Sequence, residues 1–169
     1  MSSQEKALDF VISRVFDAPR RLLWRAWTEP AHLAQWMSPA GFSNFHAELD
    51  LRPGGSYLYG LKMPDGSEMW GKWLIREIVE NERLVYVQHF SDRNGGVTRH
   101  PFSPEWPEKI LSVITLADQG TQTLLTIRWA PLDASDGEIR VFNEGHASMN
   151  GGWGGTLEKL ATCLAKQQA

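Results

Sequence analysis

The chain has 169 residues, 42% of them hydrophobic, with 17 basic against 20 acidic side chains and a formal charge of −3. A chain of this length can bury about 70% of its unfolded surface in one core, so one domain over residues 1–169, with a core of about 9–166, is the expectation. The slightly acidic balance and the absence of any basic run exclude a phosphate-binding face for nucleic acid or anionic lipid. Cys163 is the single cysteine, which excludes an internal disulfide and a cysteine-based metal cluster.

Asp9 to Phe16 is rich in Phe, Val and Ile and predicts a first strand, ended by Asp17-Ala18-Pro19. Pro19 suits an early helical position, and Leu22, Leu23, Trp24, Ala26 and Trp27 predict a short helix. After Thr28-Glu29-Pro30 a second short helix runs to Trp36, and Ser38-Pro39-Ala40-Gly41 breaks the chain. Six further strands are expected: Phe45 to Leu51, Ser56 to Lys62, Glu68 to Val79, Arg83 to Phe90, Lys109 to Leu116 and Thr123 to Ala130. Turn residues separate most of them, at Pro53-Gly54-Gly55, Pro64-Asp65-Gly66, Glu80-Asn81-Glu82 and Asp118-Gln119-Gly120. Such short loops favour antiparallel pairing.

The connection from Ser91 to Glu108 is long for a compact domain. Its prolines Pro101, Pro104 and Pro107 and its rings Phe102 and Trp106 stiffen it. It reads either as a surface excursion pinned by Trp106 or as a lid over a pocket.

A capping box, Ser135 with Glu138, opens the last helical stretch, which runs to about Lys166. Ile139, Phe142, His146, Met149, Trp153, Leu157, Leu160 and Leu164 follow one another at steps of three or four, so they form one apolar stripe. The middle of that stretch reads Asn150-Gly151-Gly152-Trp153-Gly154-Gly155. Each interior glycine costs about 1 kcal/mol relative to alanine. Two reasons remain open: close passage over a sheet, with a kink or break at Asn150-Gly151, or room left for a ligand.

These segments resemble the START-like (SRPBCC, helix-grip) superfamily, and within it the group named after the C-terminal domain of the heat-shock chaperone ATPase activator. The resemblance runs from about Phe10 to Leu164. It is carried by Arg14-Val15-Phe16-Asp17-Ala18-Pro19, Trp24-Arg25-Ala26-Trp27-Thr28-Glu29-Pro30, Trp36, Leu51-Arg52-Pro53-Gly54-Gly55, Pro64-Asp65-Gly66, Gly71, the His100-Pro101 to Trp106-Pro107 segment, and Gly152-Trp153 with Leu157 to Leu164. It implies an α+β helix-grip fold: a curved seven-stranded antiparallel sheet wrapped around a long C-terminal helix, with two short helices after the first strand and an apolar cavity between sheet and helix. The superfamily hosts lipid carriers, polyketide cyclases and aromatases, and chaperone cofactors, so fold alone does not choose among them.

No zinc-protease helix, P-loop, nucleophile elbow or dinucleotide fingerprint is present. His32, His46, His89, His100 and His146 never fall at the i, i+4 spacing of a helical metal site. No catalytic residue, metal ligand or cofactor is assigned. Glu48 and Asp50 share a strand face whose opposite side, Phe45, Ala47, Leu49 and Leu51, is the better candidate for burial; the carboxylates are expected in solvent.

The candidate ligand-binding residues are Trp36, Tyr57, Tyr59, Met69, Trp73, His89, Trp129, Phe142, His146, Met149, Asn150 and Trp153. Tyr57 and Tyr59 share one strand face, as do Met69, Gly71 and Trp73. His146 and Asn150, one turn apart, and His89 would supply polarity. For each ring, ordinary core packing is the competing explanation. The expected partner is a small apolar or aromatic molecule. The alternatives are a cyclase- or aromatase-like enzyme in which His146 moves protons, and a module that contacts a chaperone. The N-terminus carries no leader-like pattern and no apolar run reaches the roughly 20 residues of a membrane span. A cytoplasmic protein without integral membrane association is expected.

Overall fold

The computed structural model describes residues 6–39 and 41–168. Its elements are β1 (Phe10–Phe16), α1 (Arg20–Thr28), α2 (Pro30–Trp36), β2 (Ser43–Leu49), β3 (Ser56–Lys62), β4 (Glu68–Val79), β5 (Arg83–Ser91), β6 (Val97–Thr98), β7 (Lys109–Gln119), β8 (Gln122–Leu132), α3 (Asp136–Glu144) and α4 (His146–Gln167). The strands form one antiparallel sheet in the order β1-β8-β7-β5-β4-β3-β2, with β6 added against β5. The two-residue β6 is the eighth strand and lies inside the long connection, where Phe90 pairs with Thr98 and Ser91 with Val97.

Local chemistry sets the turns. Asp65 accepts from Ser67 N at 2.9 Å and leaves Gly66 in the left-handed region at φ 88°, where a side chain would clash with its own backbone. Asn81 takes the same region at φ 65°, the non-glycine residue type that tolerates it best.

The expected inward face of β2 is corrected at Phe45. Asn44 pairs with Leu61 but His46 pairs with Gly60, so a bulge lies between them. The extra residue turns Phe45 onto the outer face, where it is 41% exposed and meets Trp70 edge-on at 5.3 Å. Gly60 makes this contact feasible, since a Cβ there would stand 2.8 Å from the Phe45 ring.

The C-terminal helical stretch is also two helices, and the break is at Gly145 instead of Asn150-Gly151. The capping box forms as expected: Glu138 N donates to Ser135 Oγ at 3.2 Å and Ser135 N to Glu138 Oε1 at 2.9 Å. At Gly145 the amide is shared between the carbonyls of Val141 and Phe142, both at 3.1 Å. A Cβ here would lie 3.4 Å from the Trp106 ring and 3.3 Å from the Val141 carbonyl. Trp106, which also packs on Phe142 at 5.7 Å, therefore covers the junction.

One buried cluster joins α1, α2, the inner face of the sheet and the Trp153, Leu157, Leu160 and Leu164 stripe of α4. The elements nearest α4 are β1, α1, α2 and α3. Its N-terminal half stands off from the central strands, and this separation positions the site.

Candidate functional site

Between the inner face of the sheet and the N-terminal half of α4 lies a cavity of about 550 Å³, within the range of about 300–1,000 Å³ typical of small-molecule sites. Its floor is aromatic because three strands present rings in register. Tyr57 pairs with Trp73, Tyr59 with Gly71 and Leu61 with Met69. Directly opposed residues of an antiparallel pair share a face, so the two predicted faces become one surface. Gly71 is required by the ring that crosses it, because a Cβ there would collide with the ring and hydroxyl of Tyr59. On the other side Trp73 stacks on Tyr86 at 4.0 Å and 13°.

The roof is α4. No Cβ placed at Gly151, Gly152, Gly154 or Gly155 would meet any atom within 4 Å. Close packing is therefore not what these glycines serve. Gly151, Gly152 and Gly155 line the cavity beside Met149, Trp153, Thr156 and Lys159. Trp106, Pro107 and Glu108 of the long connection close one end, and Met37, Ser38 and Pro39, after α2, form the rim. The connection is thus both pinned by Trp106 and part of the wall. It is held further by Arg99, which pairs with Glu138 of α3 at 2.6 Å and with Glu108 at 3.4 Å.

Seven of the twelve candidate residues line this cavity: Tyr59, Met69, Trp73, His89, Trp129, Met149 and Trp153. The other five are elsewhere, each for a local reason. Trp36 is fully buried, edge-on to Trp27 at 4.9 Å, with its Nε1 donating to the Ala26 carbonyl at 3.0 Å. Tyr57 is buried beneath the floor, 5.2 Å from Tyr59 and 4.8 Å from Trp73. Phe142 is covered by Trp106. His146 sits between Phe10 and Phe142, at 5.8 Å and 5.3 Å, with Nε2 buried and without a protein partner. Asn150 faces solvent, being one position past Met149 and so about 100° around the helix.

Polarity enters through Gln88, Lys159 and Ser38, which are not among the candidate residues. Register pairs Gln88 with Trp73 and Phe90 with Gly71, whereas His89 pairs with Lys72 on the other face. The inward polar side chain of β5 is therefore Gln88, whereas His89 borders the cavity from the other alternation, with its Nδ1 2.8 Å from the neighbouring Phe90 carbonyl. The alternation that groups Gln88 with Tyr86 and Phe90 is the signal that could have found it. Lys159 falls at helical spacing from Gly152, Gly155 and Thr156, a signal too but masked by the apolar stripe. Ser38 carries none.

Burial pushes the Tyr59 hydroxyl up to about 12. It raises Tyr57 further, with the nearby Tyr59 adding to it and Asn44 opposing, and Tyr86 likewise. All three hydroxyls stay protonated at neutral pH and act as neutral donors. Trp129 Nε1 is buried without a protein partner. Among the described residues no group of three or more His, Cys, Asp or Glu side chains could hold a metal. The arrangement can enclose an apolar body and orient it with a few polar groups.

A larger groove of about 830 Å³ runs between β1, the turn before β8 and the end of α4. Two of its polar side chains already have partners: Arg14 pairs with Glu158 at 2.8 Å, and Gln168 Nε2 donates to the Asp17 carbonyl at 3.0 Å. The aromatic cavity is the candidate site.

The sequence profile of the Activator of Hsp90 ATPase homolog 1-like proteins matches residues 17–165. The chain belongs to this family. Solved structures of similar fold include a protein from Nitrosomonas europaea, 24% identical, with a TM-score of 0.75 over 95% of this chain and 96% of that one. One from Arthrobacter aurescens is 23% identical, with a TM-score of 0.77 over 97% and 91%. One from Chromobacterium violaceum is 26% identical, with a TM-score of 0.68 over 92% and 96%. Comparison with curated proteins returned no match. The START-like architecture is of the ligand-binding type, and no helix among the described residues is long and apolar enough to cross a membrane.

Proposed function

We propose that this protein binds a small hydrophobic or aromatic molecule in the cavity between the sheet and α4. The observation that carries the reading is the open space over Gly151, Gly152 and Gly155, on the wall of a cavity floored by Tyr59, Trp73 and Tyr86. Helix propensity would favour other residues there, and the open space leaves room for a ligand. The enzyme alternative assigns proton transfer to His146, which is not among the wall residues. Chaperone contact rests on the family's description, whereas ligand binding has geometry behind it.

The test is titration with 1-naphthaleneacetamide, a neutral aromatic probe, read by quenching of tryptophan fluorescence and by native mass spectrometry. Saturable binding at one site is expected, with loss of at least about tenfold in affinity, or about 1.4 kcal/mol, in Gly152→Leu. That variant adds bulk where nothing stands and should fold. Undiminished binding in Gly152→Leu would place the probe elsewhere and defeat the reading.

A further inference from the structure

We propose that the ligand of this cavity is an amphipathic organic acid, its apolar body against Tyr59, Trp73 and Trp153 and its carboxylate on Lys159 at the rim. The proposal rests on the reading of the cavity as a ligand site. Lys159 is a wall residue, and its Nζ donates to the carbonyl and to the hydroxyl of Ser38, both at 3.0 Å. Ser38 is itself only 6% exposed, so the ammonium is held in one place. An ammonium has three donors, and Ser38 uses two.

Charge is what Ser38 does not supply. No carboxylate of the described residues lies within ion-pair distance of Lys159, while the neighbouring Glu158 is taken by Arg14 at 2.8 Å. The other charged wall residue, Glu108, shares Arg99 with Glu138, at 3.4 Å and 2.6 Å, and no ion pair joins it to Lys159. Among the described residues Lys159 is thus a wall cation without a carboxylate partner, beside a largely apolar chamber. A partly buried ammonium bonded only to neutral oxygens gains a charge-assisted hydrogen bond when a carboxylate arrives. A cationic ligand would meet repulsion, and a neutral one would forgo the gain.

The experiment compares 1-naphthaleneacetic acid with 1-naphthaleneacetamide at neutral pH, by isothermal titration calorimetry, in wild type, Lys159→Met and Lys159→Arg. Wild type should bind the acid about tenfold more tightly than the amide. Lys159→Met should abolish the preference by weakening the acid more than the amide, and Lys159→Arg should keep it. Equal affinities in wild type, a preference that persists in Lys159→Met, or equal weakening of both probes would overturn the proposal while the cavity reading stands. Binding of neither probe would overturn both.

Discussion

Beyond Trp153, α4 buries Leu157, Leu160 and Leu164 to 2% exposure or less. Before and just after Trp153, the same helix carries four glycines over which a methyl group would touch nothing. The first region is held by packing, with its end tied to β1 and α2 through Arg14–Glu158 at 2.8 Å and Gln167–His32 at 3.2 Å. The second loses about 1 kcal/mol of helix propensity per glycine relative to alanine and recovers none of it through close approach. A single helix is thus divided between anchoring and enclosing, and Trp153, stacked on Trp27 at 6.1 Å and edge-on to Trp129 at 5.6 Å, marks the boundary.

The comparison can be broken most sharply at Leu160. Leu160→Ala empties a fully buried position and should lower stability by about 3 kcal/mol, within the usual range of about 2–5, in urea denaturation. A loss under about 1 kcal/mol, well below that range, would mean that the C-terminal half is not the anchor.

Alkaline titration probes the surface facing the other half. The chain's three tyrosines are Tyr57, Tyr59 and Tyr86, and burial raises all of them in the fold. A raised folded pKa contributes stability that is complete below the ordinary value of 10.0 and is lost as pH rises through about 12 for Tyr59. Ultraviolet absorbance of the phenolate should therefore show no ionisation near the ordinary value of 10.0 while the protein remains folded. A normal tyrosine titration in folded protein would show the floor to be wet.

The smallest expected change is the most discriminating in sign. Gly155→Ala should raise stability by about 1 kcal/mol, because the added methyl meets nothing. Destabilisation, measured by thermal unfolding, would restore the view that these glycines serve close packing.

Much of the architecture was legible along the chain. β3 and β4 match their expected limits of Ser56–Lys62 and Glu68–Val79, and α2 matches Pro30–Trp36, because alternation, turn residues and Pro30 are local signals. The pairing of Tyr57 and Tyr59 with Trp73 and Gly71 follows from the same alternation once a short hairpin joins the strands. The site was less legible. Phe45 left its expected face through one bulged residue, and Asn150 missed the cavity by one step of the helix.

By itself the sequence determined the order of the seven longer strands and the first two helices, the apolar stripe ending in Leu157, Leu160 and Leu164, the Ser135 capping box and the family's fold, since the signals lie in residues within a few positions of one another. Tertiary structure alone decided that the α4 glycines leave space, that Trp106 covers a break at Gly145, and that Lys159 meets Ser38, 121 positions away. What surrounds a Cβ or an ammonium is set by segments brought together only in the folded chain, and no local period encodes it.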